Sequence, residues 1–196
     1  MELLTTLGRS MAFSFAAGIN LYATVAILGL ASRFHWVTLP PQFKAFDNDV
    51  VIGAAIVMYL VEFCADKVPW FDSVWDTLHT FVRPVGGALI AVTTLGDASP
   101  AAQGLAALFG GTLAAGSHFT KAGTRAAANT SPEPFTNWAL SLVEDVFVVG
   151  LGVLALKQPL IAAVVVVLSV VAIVFFARML LRAVRRRWQR PRPALA

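Results

Sequence analysis

The residues best placed to do chemistry lie between Glu62 and Leu89, in the run EFCADKVPWFDSVWDTLHTFVRPVGGAL. Glu62, Asp66, Lys67, Asp72, Asp76, His79 and Arg83 are packed there between two apolar stretches, with Pro69 and Pro84 expected as breakpoints. Asp72, Asp76, His79 and Arg83 follow one another at intervals of four, three and four, which lines them along one stripe of a helix over residues 70–83. Val74, Trp75, Leu78 and Val82 fall largely elsewhere around it. Two placements fit this pattern: an amphipathic helix on a membrane surface, or a polar wall facing the inside of a helical bundle. Carboxylate and imidazole at this spacing make Asp72, Asp76 and His79 weak candidates for a divalent metal. Arg83 one turn further on, and the want of a second cluster, weigh against that reading.

A second set supplies the opposite charge. His118, Lys121 and Arg125 share a helix face at intervals of three and four. They read either as long side chains leaving the membrane for the headgroups or as a basic face opposite Glu62, Glu144 or Asp145. Burying either sign alone is costly, so pairing is expected wherever water is excluded. Glu62 and Glu144 each follow a Leu-Val pair in a stretch that otherwise avoids charge, and both are expected to face the interior. Unpaired, such a carboxylate would exchange protons near neutrality; paired with Arg83, Lys121 or Arg125 it would be an anchor. No catalytic residue is assigned. Ser117 beside His118 and the lone Cys64 lie in no nucleophile motif, and the glycine motif that precedes an Asp-x-x-x-Asp pair in enzymes holding metal-bound nucleotide-lipids is missing. Asn129, Glu133 and Asn137 flank the Ser131–Pro134 break and read as caps.

These groups need a scaffold, and composition selects it. Of 196 residues 58% are hydrophobic and only 13% charged, with a mean hydropathy of +0.74, too few charges for a water-soluble domain. One cysteine rules out an internal disulfide framework. The net charge of +4 is not spread as a nucleic-acid surface would need: seven of the fifteen Lys and Arg lie between Arg178 and Arg192, beyond the last apolar run. That pattern marks a cytoplasmic membrane flank.

The expected fold is all-α: a polytopic integral membrane bundle of about six transmembrane helices. Residues 1–10 form a cytoplasmic lead. The first spanning helix, Met11–Ala31, places Ser14, Gly18 and Tyr22 on one face, with Asn20 and Thr24 as further interruptions. The second begins at Val50, and the amphipathic helix 70–83 is followed by the apolar piece 84–95, too short to cross unless it continues the helix before it. Ala101–Ala128, Asn137–Leu156 and Leu160–Phe176 complete the set, and residues 183–196 form a basic, disordered cytoplasmic tail. Inside termini put twelve Lys and Arg on the inner side and three on the outer.

The two halves, 11–96 and 97–182, also echo each other. Phe15-Ala-Ala-Gly18-Ile-Asn20-Leu21 resembles Leu113-Ala-Ala-Gly116-Ser-His118-Phe119, and Leu60-Val-Glu62 resembles Leu142-Val-Glu144. Three spans per half would make the second copy inverted, a recurring transporter plan. Gly18, Asn20 and Gly116 are then expected where the first and fourth helices pack.

The strings Gly18–Arg33, Glu62–Leu89 and Gly116–Asp145 resemble an uncharacterised membrane family, domain of unknown function 4126. The resemblance implies a small bacterial-type polytopic membrane protein, and with it an inner (plasma) membrane location; it brings no activity, substrate or site residue. Function rests on the residues: a small transporter or channel-like permease for a small ion or polar, anionic included, solute, with protons as the coupling ion and no cofactor. Glu62, Asp66, Asp72, Asp76, His79, Arg83, His118, Lys121, Arg125, Glu144 and Asp145 would line its pathway. An enzyme acting on a lipid phosphate or headgroup, and a non-catalytic lipid-organising protein, are the alternatives. Expected partners are the bilayer, anionic lipid at the basic tail, a small solute and, left open, further copies of the chain; nucleic acid is not among them.

Overall fold

The computed structural model describes residues 1–130 and 135–188, and among these seven α-helices and one short 3₁₀ helix account for the regular structure. Helix α1 (Glu2–Ile19) and α2 (Leu21–Arg33) stand where one span was expected at 11–31, and α1 absorbs the lead at 1–10. The interruption is Asn20, whose backbone is extended (φ −145°, ψ 98°). Its side chain accepts from the Ala23 N–H at 2.9 Å, so it caps α2 and satisfies a donor the broken helix would otherwise leave bare.

After α2 a 3₁₀ helix (Pro41–Phe46) buries Phe43 and Phe46 across the end of the bundle. Arg33, in the last turn of α2, ties this corner down through Asp47 at 2.8 Å and Asp49 at 2.6 Å. Helix α3 (Asp49–Ala65) starts under Asn48, whose side-chain oxygen accepts from Val50 and Val51. Helix α4 (Pro69–Leu95) is one element of 27 residues. Pro69 sits in its first turn, where a missing N–H costs nothing. Pro84 lies inside it and is not the breakpoint expected of it: the piece 84–95 continues the polar helix. An interior proline costs about 3 kcal/mol, and the packing that follows offsets it. The helix stops at Gly96, whose φ of 73° favours a residue without Cβ.

Ser99 caps α5 (Pro100–Ala128) through the Ala102 N–H. Helices α6 (Phe135–Lys157) and α7 (Pro159–Trp188) follow, separated by Gln158. Helix α7 runs through part of the stretch expected as a disordered tail; Ser131–Pro134 and residues 189–196 lie outside the described residues.

The α4–α5 hairpin is the tightest pair, and α1 lies against both. Small residues make the approach. A Cβ on Gly87 would come within 2.4 Å of the Ala114 methyl, and one on Gly110 within 2.4 Å of the Ala91 methyl and 2.8 Å of Ser14 Oγ. Ser14 Oγ donates to the Gly87 carbonyl at 3.0 Å, locking α1 to α4. Gly18 seats α1 on α5 at Ala114 and Ser117. Gly116 is not in this contact. A Cβ there would meet nothing within 4 Å, because Ser117 and His118 occupy the inward face of that turn.

Polarity is inverted relative to a water-soluble bundle. Leu78 and Phe81 on α4, Leu105 and Leu108 on α5, Val146 on α6 and Leu168 on α7 are exposed, while Glu62, Arg83 and His118 are wholly buried. Among the described residues three helices are long and apolar enough to cross a membrane: Pro69–Leu95, Phe135–Lys157 and Pro159–Arg182. Helix α2, with thirteen residues, is apolar but shorter.

Candidate functional site: a buried charge network at a helix break

Stripe periodicity brings the charged groups inward. Asp72, Asp76, His79 and Arg83 form the buried face of α4, and His118, Lys121 and Arg125 that of α5. Because α4 and α5 pack along their length, the two stripes face one another, and α3 and α6 bring carboxylates from either side.

Glu62 is the hub. Its Oε1 accepts from Arg83 Nη2 at 2.8 Å and from Lys121 Nζ at 3.1 Å. Lys121 also reaches Asp66 Oδ2 at 3.3 Å and Glu144 Oε2 at 3.5 Å. Arg125 Nη2 lies 2.9 Å from both of those oxygens, its Nε donates to Glu144, and its Nη1 donates to the main-chain carbonyls of Asp66 and Asn137. All five N–H bonds of Arg125 are thereby committed. Three cations are thus matched to three carboxylates, Glu62, Asp66 and Glu144. In an apolar surround each ion left alone would cost several kcal/mol, so the set holds together as a unit.

The helix break feeds into this unit. The last carbonyls of α1 have no partner within the helix and carry its partial negative charge. Ile19 O accepts from Lys121 Nζ at 3.3 Å and Gly18 O from Arg83 Nη1 at 3.4 Å. Asn20, at the break itself, donates from its amide to Asp145 Oδ1 at 3.3 Å. The cations therefore bridge the open end of α1 to carboxylates on α3 and α6.

Both buried histidines border the network, and their tautomers follow from partners that can only donate or only accept. Arg83 Nη1 donates to His118 Nδ1 at 2.8 Å, so the ring proton of His118 sits on Nε2, 3.2 Å from Thr80 Oγ1. His79 Nδ1 is 2.7 Å from the Trp75 carbonyl and must donate to it, leaving Nε2 to accept from the Tyr22 hydroxyl at 2.8 Å. Trp75 stacks on the His79 ring at 4.5 Å between centroids. Both nitrogens of His79 are thus engaged within the protein, and among the described residues no three His, Cys, Asp or Glu side chains gather to hold a metal ion. Ser117 Oγ donates to Phe15 O at 2.7 Å and shares no partner with His118. Cys64 is exposed.

Between snorkelling and a buried face, the structure has the buried face: Lys121, Arg125 and His118 are all buried, Lys121 and Arg125 paired with Glu62 or Glu144 and His118 bonded to Arg83 and Thr80. Of the acidic set, Glu144 is half-buried, while Asp145 contacts Asn20 rather than the bases.

Three residues that the sequence marks only as caps, or not at all, also belong here. Asn129 Nδ2 donates to Asp72 Oδ2 at 2.9 Å, to Pro69 O and to Ser73 Oγ, joining the start of α4 to the end of α5. Asn137 is buried and bonded to Asn129. The readable signal is the spacing of four that puts Asn137, Ser141 and Asp145 on one face of α6, where all three are buried. Thr80, the third, offers none, since an isolated threonine in a helix has no pattern.

No curated protein and no solved structure gives a match to this chain. A family model does, that of a domain of unknown function, number 4126, over residues 7–179. That span takes in every residue of the network and the helix break, and the chain belongs to this family.

Proposed function

We propose that the protein is a small membrane permease that moves a small ion or polar solute, with protons as the coupling ion. The observation that carries this reading is the interrupted helix at Asn20, whose open carbonyl end is held by Arg83 and Lys121 within a network of carboxylates from both halves of the chain. Broken helices whose ends meet charged groups in the interior are a recurring way to build a solute path. Ionisable groups inside an apolar exterior are expensive and are retained at such paths.

In this reading the six crossings are α1 with α2, then α3, α4, α5, α6 and α7, and the two halves are inverted repeats. The break is confined to the first half, since His118, the counterpart of Asn20, lies within the unbroken α5. The inward solute path would run along the α4–α5 stripe, and Arg178, Arg182 and Arg185 at the end of α7 would meet anionic lipid on the cytoplasmic side.

Topology is checked by cysteine accessibility in a Cys64→Ser background. Thr38→Cys should label from outside and Arg185→Cys from inside; the opposite pattern overturns the orientation. Purified protein in liposomes should dissipate an imposed pH gradient, or admit one of a panel of small polar solutes, faster than protein-free vesicles. Arg182→Ala with Arg185→Ala should leave that flux unchanged. Flux no faster than in empty vesicles across the panel would overturn the permease reading.

A further inference from the structure

Among the described residues the charge network leaves two buried acids without a bonded base, Asp145, which is held by the Asn20 amide, and Asp72. At the end of the hairpin where α4 begins and α5 finishes, a pocket of about 230 Å³ opens between the two helices, lined by Asp72, Ser73, Asp76, Thr77 and Asn129, with Arg125 at its back. Asp72 is fully buried, and its only bonding partner among the described residues is the Asn129 amide, on Oδ2; its Oδ1 has none. Asp76 is 5% exposed, lies 3.2 Å from Arg83 through Oδ1, and its Oδ2 has no partner either. Arg125 cannot serve Asp72, because its five N–H bonds go to Glu144, Asp66 and Asn137.

We infer that this pocket is a binding site for an alkali-metal cation, held by Asp72 Oδ1, Asp76 Oδ2 and the hydroxyls beside them. A buried carboxylate oxygen with no donor is costly, and a cation supplies what the protein does not. The offered groups are all hard oxygens, which suits alkali and alkaline-earth ions rather than softer metals. The charge balance selects a single charge: Asp76 is faced by Arg83, so Asp72 is the one carboxylate at the pocket without a cationic neighbour bonded to it. The volume is several times the roughly 30 Å³ of a water molecule, so the ion keeps part of its hydration and the pocket needs no complete shell of protein ligands. Ser73 and Thr77 use their hydroxyl protons on the Pro69 and Ser73 carbonyls, and Ser73 Oγ also accepts from Asn129, which leaves one lone pair on Ser73 and two on Thr77 for an ion. The site goes beyond the permease reading and holds whether or not the protein transports.

The test is calorimetric titration and thermal unfolding of the full-length protein in detergent, with NaCl and KCl against choline chloride at equal ionic strength. Saturable heat and a rise in unfolding temperature with Na⁺ or K⁺, absent with choline, are expected; the stronger of the two names the ion. Asp72→Asn, which keeps an acceptor for Asn129, should weaken binding at least tenfold. Ala126→Leu, which narrows the mouth from the exposed side of α5 without touching a carboxylate, should do the same. A response common to all three salts, one seen only with Mg²⁺, or one unchanged in both variants overturns the site. So does stabilisation reproduced by acidification alone, which would mean that a proton occupies Asp72.

Discussion

Glu62→Gln is expected to destabilise the protein by about 3–5 kcal/mol, the cost of removing one partner from a buried ion pair. The substitution keeps the volume and one acceptor but withdraws the charge that Arg83 and Lys121 both use, at 2.8 and 3.1 Å. One guanidinium and one ammonium would then share Asp66, Glu144 and Asp76 in an apolar surround that cannot replace the loss. Combining Glu62→Gln with Lys121→Met restores the balance, so the double variant should lose less than the sum of the two single ones. The unfolding midpoint in detergent reads both effects. The outcome also separates anchor from carrier. A variant that keeps its stability but loses pH-dependent flux in liposomes would make Glu62 a proton carrier, and the network as an anchoring device would be wrong. The paired geometry predicts the anchor.

Gly18→Ala carries the second large effect. Its new methyl would lie 2.1 Å from the Ala114 carbonyl oxygen and 2.0 Å from Ser117 Oγ, neither of which can retreat: one is helix backbone and the other is bonded to Phe15 O. Helices α1 and α5 must separate, at a cost of about 1–3 kcal/mol, and the separation draws Gly18 O and Ile19 O away from Arg83 and Lys121. Weakened flux should therefore accompany the lower unfolding temperature. Gly116→Ala is the control. That position is open, and replacing a helical glycine by alanine should leave stability unchanged or raise it by up to about 1 kcal/mol. Equal losses at the two glycines would mean that they do hold equivalent places, as the repeat suggests, and that the open position described for Gly116 is wrong.

Periodicity alone settles which charged residues share a helix face, and the tertiary structure decides that those faces look inward. Side chains three and four apart must share a helix face, so the stripes Asp72–Asp76–His79–Arg83 and His118–Lys121–Arg125 are readable before any fold is known, as are the helices that carry them and their apolar surroundings. Composition likewise restricts the chain to an all-helical class with few charges to spend on its surface, and family membership is legible in three strings. What a sequence of this kind does not encode locally is where a helix breaks or continues. Asn20 sits in a run with no proline and no strong turn signal, and the break exists because its backbone and amide are used from elsewhere: Asp145 holds the side chain, while Lys121 and Arg83 satisfy the freed carbonyls. Pro84 is the converse. A local rule ends a helix there, but Gly87 seated against Ala114, and Gly110 against Ala91, hold α4 and α5 close enough for tertiary packing to outweigh the lost hydrogen bond. The partners of the charges belong to the same class of question. Sequence spacing says that Glu62 and Lys121 each need an opposite charge; only the crossing of α3, α4, α5 and α6 decides that they meet, and that Asp72 and Asp145 are left without a bonded base.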